Sequence, residues 1–249
     1  MAKETELIKR IIDLLNRADR TQTVTHSTFL TPAEQYELKQ WSEQSGRTNF
    51  IFNGGYPDSE RAILQVIPTW YESNTVPETP LTAIRIITGF GTPSHRDYLG
   101  SILGLGLKRE WIGDIIIKDS TAYVICLRPS EETLLRELTH VNKFGVKCEQ
   151  IALGDIPISQ KSVKSITFTV QSPRLDAVVG PVFGLSRSHG VKLISAGAVS
   201  LNYSVCIEKD AFVTENDIIS VRGYGKAKLL GETGKSKKGR TFLLAERYI

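Results

Sequence analysis

SPRLDAVVG, Ser172–Gly180, can be read in two ways. Either Asp176 is a catalytic carboxylate, or the segment opens a helix. Serine is a good N-cap because its side-chain oxygen accepts a hydrogen bond from a free N–H of the first turn, and proline begins a helix without losing a useful donor. Ser172 followed by Pro173 therefore predicts a helix start. GLSRSHGVKLISAGAV, Gly184–Val199, supplies a second helix: Ser186 is placed to cap it, Val191, Leu193 and Ile194 form an apolar side, and Gly197 breaks it. From Ala198 to Glu232, short β runs then alternate with turn residues. Two short helices feeding a small twisted sheet are expected, with Leu175, Val179, Leu185, Val191, Ile194, Val199 and Ile218 as its core.

Upstream, ETELIKRIIDLLNRA (Glu4–Ala18) places Leu7, Ile11, Leu14, Leu15 and Ala18 on one helical face. In LTPAEQYELKQWSEQSG, Thr31 can cap a helix that Pro32 begins and Gly46 ends. FNGGYPDSERA (Phe52–Ala62) has the composition of a turn, and AILQVIP after it reads as a strand. Between Pro80 and Gln150 the periods run strand, helix, strand, strand, helix, strand. The first of those helices is expected to be capped by Thr92, and PSEETLLRELTHVN to form a second capped helix. That order fits a split β-α-β sandwich of the ferredoxin or RNA-recognition type. The fold class is therefore α+β: a mainly helical domain over 1–75, an α/β sandwich over 76–158, and a linker strand with a small αβ domain over 159–249.

Charge is divided unevenly between these regions. From Ser159 to the end, 14 Lys and Arg face 7 Asp and Glu, a net of +7, whereas the rest of the chain carries −3. Such asymmetry points to a polyanion partner, although a solvated lysine-rich face would give the same count. Cys126, Cys148 and Cys206 lie in separate strand-like runs and form no C-x-x-C pair, and the four histidines are as scattered. No disulfide framework, metal site or cofactor is expected, and the thiols should pack as small hydrophobes. No run approaches the length of a membrane span, and the N-terminus lacks a secretory pattern, so a cytoplasmic protein is expected.

Two stretches of the middle region invite a functional reading. GFGTPSHRD, Gly89–Asp97, joins a strand to a helix, where backbone N–H groups and Arg96 could hold a phosphate. It lacks both a third glycine and a Gly-Lys-Ser ending, so a capped turn is the better reading. Arg96, Lys108, Arg109 and Trp111 could together present cations and a stacking ring to RNA, or serve only as scaffold.

RLDAVVGPVFGLSRSHGVKLISAGAVSLN followed by VTENDIISVRGYGK resembles the RNA-binding domain of the ribosomal protein S-four type. The likeness departs from that family's pattern at Tyr203, where glycine usually follows asparagine, and at Gly190, where alanine is common. It implies that Arg174, Ser186, Arg187, Ser188 and Lys192 meet RNA phosphates, with Lys226, Lys228 and the loop GKSKKGR extending the surface. Affinity would then come largely from counterion release, and shape would be read more than sequence.

Nearly the whole chain is similar to the YlmH family of bacterial RNA-binding proteins, through the N-terminal helices, the GGYPDSERA loop, TGFGTPSHRDYLGSILGLGLKREWIGDI and the C-terminal domain. That resemblance implies a non-enzymatic, ribosome-associated factor whose partners are ribosomal RNA of the large subunit and tRNA, acting in rescue of stalled translation, with an associative link to cell division. No membrane or small-molecule partner is implied. The alternatives are an RNA-modifying enzyme, since Arg-Leu-Asp also carries the catalytic aspartate of pseudouridine synthases, or a protein adaptor. In a synthase the aspartate follows the RNA-binding domain and is trailed by Thr-Ser-Gly. Here Asp176 lies inside the domain and AVVGPV follows it, so a structural Asp176 paired with a nearby Arg or Lys is expected. A methyltransferase would need parallel strand-helix repeats and a Gly-rich cofactor loop, which the middle region lacks.

Overall fold

The computed structural model describes residues 5–68, 78–158, 162–237 and 239–248. The chain divides into two compact units, Met1–Ile158 and Ser159–Ile249. Among the described residues no helix is long and apolar enough to cross a membrane.

The first unit opens with α1 (Glu6–Thr21), capped by the Thr5 hydroxyl, which accepts from the Ile8 N–H. Its buried face is Ile8, Ile11, Leu15 and Ala18. β1 (Thr25–Leu30) follows, then α2 (Pro32–Ser45). Thr31 and Glu34 cap α2 reciprocally, and Gly46 ends it at φ 69°, a left-handed position that glycine takes without steric cost. β2 (Phe50–Asn53) and β3 (Ala62–Val66) complete an antiparallel sheet in the order β1-β3-β2. The region expected to be mainly helical is thus a helix-on-sheet layer. Leu30, Leu64 and Val66 pack under α1 and α2, while Phe29 and Ile63 point the other way.

The middle region contains β4 (Leu81–Thr88), α3 (His95–Gly104), β5 (Ile112–Lys118), β6 (Thr121–Leu127), α4 (Glu131–Glu137), β7 (His140–Val141) and β8 (Phe144–Ile151). They form an antiparallel sheet in the order β5-β6-β4-β8-β7. α3 and α4 cover one face through Tyr98, Ile102, Leu134 and Leu138 against Ile84, Ile86, Val124 and Cys126. On the other face Ala83, Ile125 and Leu127 bury against Phe29 and Ile63, so two sheets share one core. Burial pushes the Cys126 thiol up to about 12 and the Cys148 thiol up to about 11, consistent with thiols that pack and stay protonated.

Both expected caps shift here. Ser94, not Thr92, caps α3, because Asp97 stands three residues on and closes a capping box. Ser130 makes no side-chain cap: a tight turn over Arg128–Ser130 runs straight into α4, and its buried hydroxyl has no hydrogen-bond partner. The FNGGYPDSERA loop is pinned to β5 by Asp114. Its carboxylate accepts from the Tyr56 hydroxyl (2.8 Å) and from the N–H groups of Glu60 (2.6 Å) and Arg61 (3.1 Å). Gly54 is needed in that loop because a Cβ there would lie 2.0 Å from the Ser59 hydroxyl oxygen.

The second unit comprises β9 (Val163–Val170), α5 (Leu175–Phe183), α6 (Arg187–Ser195), β10 (Val199–Leu201), β11 (Ser204–Val205), β12 (Ile218–Val221), β13 (Gly225–Lys235) and β14 (Thr241–Tyr248). Its six-stranded antiparallel sheet runs β11-β10-β12-β13-β14-β9. Leu175, Val179, Ile194 and Val199 are fully buried as expected. Ile218 is not in that core; strand parity turns Ile219 and Val221 inward instead. Val191 is half-buried and Leu185 packs from the edge.

Candidate nucleic-acid interface

α5 begins at Leu175 and not at Ser172. Its first donors need no side-chain cap, because the Leu175 N–H donates to the Ala211 carbonyl (2.8 Å) and the Asp176 N–H to that of Lys209 (2.9 Å). A neighbouring loop does what a serine was expected to do. Ser186 does cap α6, accepting from the His189 N–H.

Asp176 sits between the two helix starts with its side chain 5% exposed. One carboxylate oxygen accepts from Arg174 Nε at 3.0 Å and the other from Arg187 at 2.5 Å. Burial pushes this carboxyl upward, but the hydrogen bonds and charges of Arg187 and Arg174 outweigh it and hold it below the usual carboxylate range. The carboxylate therefore stays charged and fixes two guanidinium groups. Arg187 remains 69% exposed, so its other donors face solvent beside the exposed hydroxyls of Ser186 and Ser188 at the head of α6. A guanidinium fork, two hydroxyls and a helix N-terminus form a surface suited to phosphate oxygens. Lys192 lies exposed on the same helix.

Sequence reading missed one residue here. Phe212 bridges Arg174 in antiparallel register and is 66% exposed, which sets a bare aromatic ring beside the arginine cluster. The only signal in the sequence was an aromatic residue in a polar loop.

Lys226 and Lys228 stand elsewhere. On β13 the alternate residues Ala227 and Leu229 enter the core under the helices, so both lysines project from the opposite face of the sheet. Lys226 lies over the Tyr203 and Tyr248 rings at 5.9 and 5.8 Å. The GKSKKGR loop is the tip of the β13–β14 hairpin: Arg240 donates to the Thr169 carbonyl, and Lys238 lies outside the described residues.

The four candidates in the middle region do not form one patch. Arg96 is in the first turn of α3, and Lys108–Trp111 follow its far end, about 15 Å away along a ten-residue helix. Arg109 donates inward to the carbonyls of Ile112 and Gly113, and Trp111 packs against both cores. Lys108 is exposed with its ammonium 5.8 Å from the Trp111 ring. At the head of α3 the Asp97 carboxylate takes the Ser94 N–H and hydroxyl, and Ser94 holds that carboxyl below its ordinary range. An anion already occupies that helix start, which disfavours a phosphate there. Among the described residues no group of three or more His, Cys, Asp or Glu side chains is arranged to hold a metal ion.

Two family models match the chain: "YlmH, N-terminal" over residues 3–70 and "Putative RNA-binding domain in YlmH" over residues 78–165. The Ribosome-associated protein quality control protein P2 of Bacillus subtilis (strain 168) is 32% identical over 222 residues, covering 88% of this chain and 85% of that protein. Cell division protein ylmH from Streptococcus pneumoniae has a similar fold, with a TM-score of 0.52 over 63% of this chain and 98% of that one at 15% identity. Matches in two successive regions, together with 32% identity across most of both chains, make this chain a member of the YlmH family.

Proposed function

We propose that this chain is a non-enzymatic RNA-binding factor that associates with the ribosome, contacts large-subunit ribosomal RNA and tRNA, and acts in rescue or quality control of stalled translation. The observation that carries this reading is Asp176, buried at the junction of α5 and α6, holding Arg174 and Arg187 at the heads of two helices. A catalytic carboxylate needs a free oxygen and a pocket for substrate. Asp176 instead has both oxygens engaged by cations, which favours a phosphate-binding role. The 32% identical relative, named as a ribosome-associated quality control protein, supports the same direction, as does the +7 charge of residues 159–249. The reading extends to the folds: two helices beside a small sheet support an S-four-type domain, and the order β5-β6-β4-β8 supports a ferredoxin-like sandwich in the middle region.

The test is co-sedimentation with purified large ribosomal subunits at moderate salt. Charge reversal of Arg174, Arg187 and Lys192 to glutamate is expected to move the protein out of the ribosome fractions. Lys192→Glu alone, at an exposed position, should weaken binding without disturbing the fold, which circular dichroism checks. Unchanged co-sedimentation of both variants would overturn the anchor.

A further inference from the structure

Strand register in the middle sheet assigns its residues to two faces. Ile84, Ile86, Ala122, Val124 and Cys126 enter the core beneath α3 and α4, so the residues between them project to the other side. Ala83, Ile125 and Leu127 on that side are covered by Phe29 and Ile63. The cover spans only part of the face. Beyond it Arg85 stands opposite Tyr123 and Glu149, and Ile87 stands opposite Thr121 and Lys147. Lys118 pairs with Thr121 at the outer strand. Lys118 and Lys147 are exposed, whereas Tyr123, Ile87 and Thr121 are half-buried. Arg85 is 41% exposed and tied to Glu149 at 2.7 Å.

We propose that this open part of the sheet is a second RNA site, which takes one or two unpaired bases of a single strand on Tyr123 and the phosphates on Lys118 and Lys147. The proposal rests on the reading of the chain as an RNA-binding protein. Arg85, Lys118 and Lys147, against Glu149 on the sheet and Asp119 in the adjoining turn, leave a net positive rim around an aromatic and aliphatic floor, which complements a polyanion with flat apolar bases. The match of residues 78–165 to a model described as RNA-binding points to the same occupant. Only unstacked bases can lie flat on such a strip, so duplex RNA is excluded. The N-terminal sheet, by covering Ala83 and Ile125, limits the footprint to the exposed end. Arg85, held by Glu149, is a positioning residue that borders the stacked base.

The test is fluorescence anisotropy of a fluorescein-labelled oligouridine dodecamer with the full chain. Tyr123→Ala is expected to weaken binding about tenfold and Tyr123→Phe to leave it near wild type, because the ring and not the hydroxyl stacks. Tyr123 also touches the shared core, so a second variant keeps the test independent of folding: Lys118→Gln with Lys147→Gln, at exposed positions, should lower the slope of log affinity against log salt by about 1.4. If Tyr123→Ala and the lysine pair bind the dodecamer as wild type does while Arg174→Glu with Arg187→Glu loses it, the sheet site is wrong and the RNA-binding reading stands. If the wild-type chain binds ribosomal subunits but not the dodecamer, the sheet site is again wrong. If it binds neither, the functional reading falls with it.

Discussion

The Asp176 carboxylate receives the Arg187 guanidinium at 2.5 Å across the junction of α5 and α6, in a side chain 5% exposed. A buried anion of this kind does two jobs: it ties two helix starts together, and it fixes the direction of two guanidinium groups. Asp176→Asn separates these jobs from catalysis. It leaves Arg174 and Arg187 without their counter-charge, and should cost about 1–3 kcal/mol of stability. The cost stays in that range because both arginines reach solvent.

The pH dependence of that cost has a definite sign. The folded-state pKa of Asp176 lies below its ordinary value, because Arg187 and Arg174 outweigh burial. Its contribution is therefore fully present above about pH 5 and is lost as pH falls through the folded value. The difference in melting temperature between wild type and Asp176→Asn should be constant from pH 7 down to about 5 and shrink below about 4. A difference that grew on acidification would remove the ion pairs from the account.

Phe212 offers a test of what the arginine cluster recognises. Its ring is 66% exposed and lies in register with Arg174. Phe212→Ala should hardly alter stability, yet it should weaken RNA binding about tenfold if an unpaired base stacks there. Phosphate contact alone predicts no change. Anisotropy with a tRNA probe, paired with a thermal melt of the same variant, distinguishes the two.

How far these features are visible in the sequence depends on how local their causes are. The ends of α2 are legible because Thr31, Pro32, Glu34 and Gly46 each act within their own turn. The order of elements from β4 to β8 is legible for the same reason, since the apolar period changes with each element. β1 is not: THSTFL is half hydroxyl residues, and it is a strand because β3 pairs with it. The start of α5 is not legible either, because its donors go to Lys209 and Ala211, more than thirty residues on. Arg109 reads as a surface cation, but the carbonyls of Ile112 and Gly113 draw it inward. Asp176 does pair with basic side chains, although nothing in the sequence singles out Arg174 and Arg187 as the partners.

The β10–β11 turn carries strain that substitution can relieve. Asn202 and Tyr203 take φ of 48° and 70°, the pattern of a tight hairpin that favours glycine in second place. Asn202 is held there by its side chain, which donates to Asp217 (2.7 Å) and accepts from the Ile218 N–H (2.9 Å). Tyr203 has the steric penalty of a Cβ in the left-handed region, about 1 kcal/mol, offset in part by the contacts of its ring, that with Lys226 among them. Tyr203→Gly should therefore raise stability by less than about 1 kcal/mol in urea unfolding. A clear loss would mean that the ring matters more to the lysine than the backbone strain costs.

Asp114 tests whether the GGYPDSERA loop is held by one side chain. Its two oxygens take the Tyr56 hydroxyl and the N–H groups of Glu60 and Arg61. Burial and the Asp114 hydrogen bond raise the Tyr56 phenol well above its ordinary value, so Tyr56 remains a donor at every physiological pH. Asp114→Ala strands the Tyr56 and Arg61 donors at a half-buried site, while the exposed Glu60 N–H turns to water, and should cost about 1–3 kcal/mol. The loss should be local first. Amide exchange at Glu60 and Arg61 is expected to speed up by far more than exchange in β4 and β8, whose shared ladder does not involve Asp114. Uniform acceleration across the unit would instead make Asp114 part of the shared core's cooperativity and not a clamp on one loop.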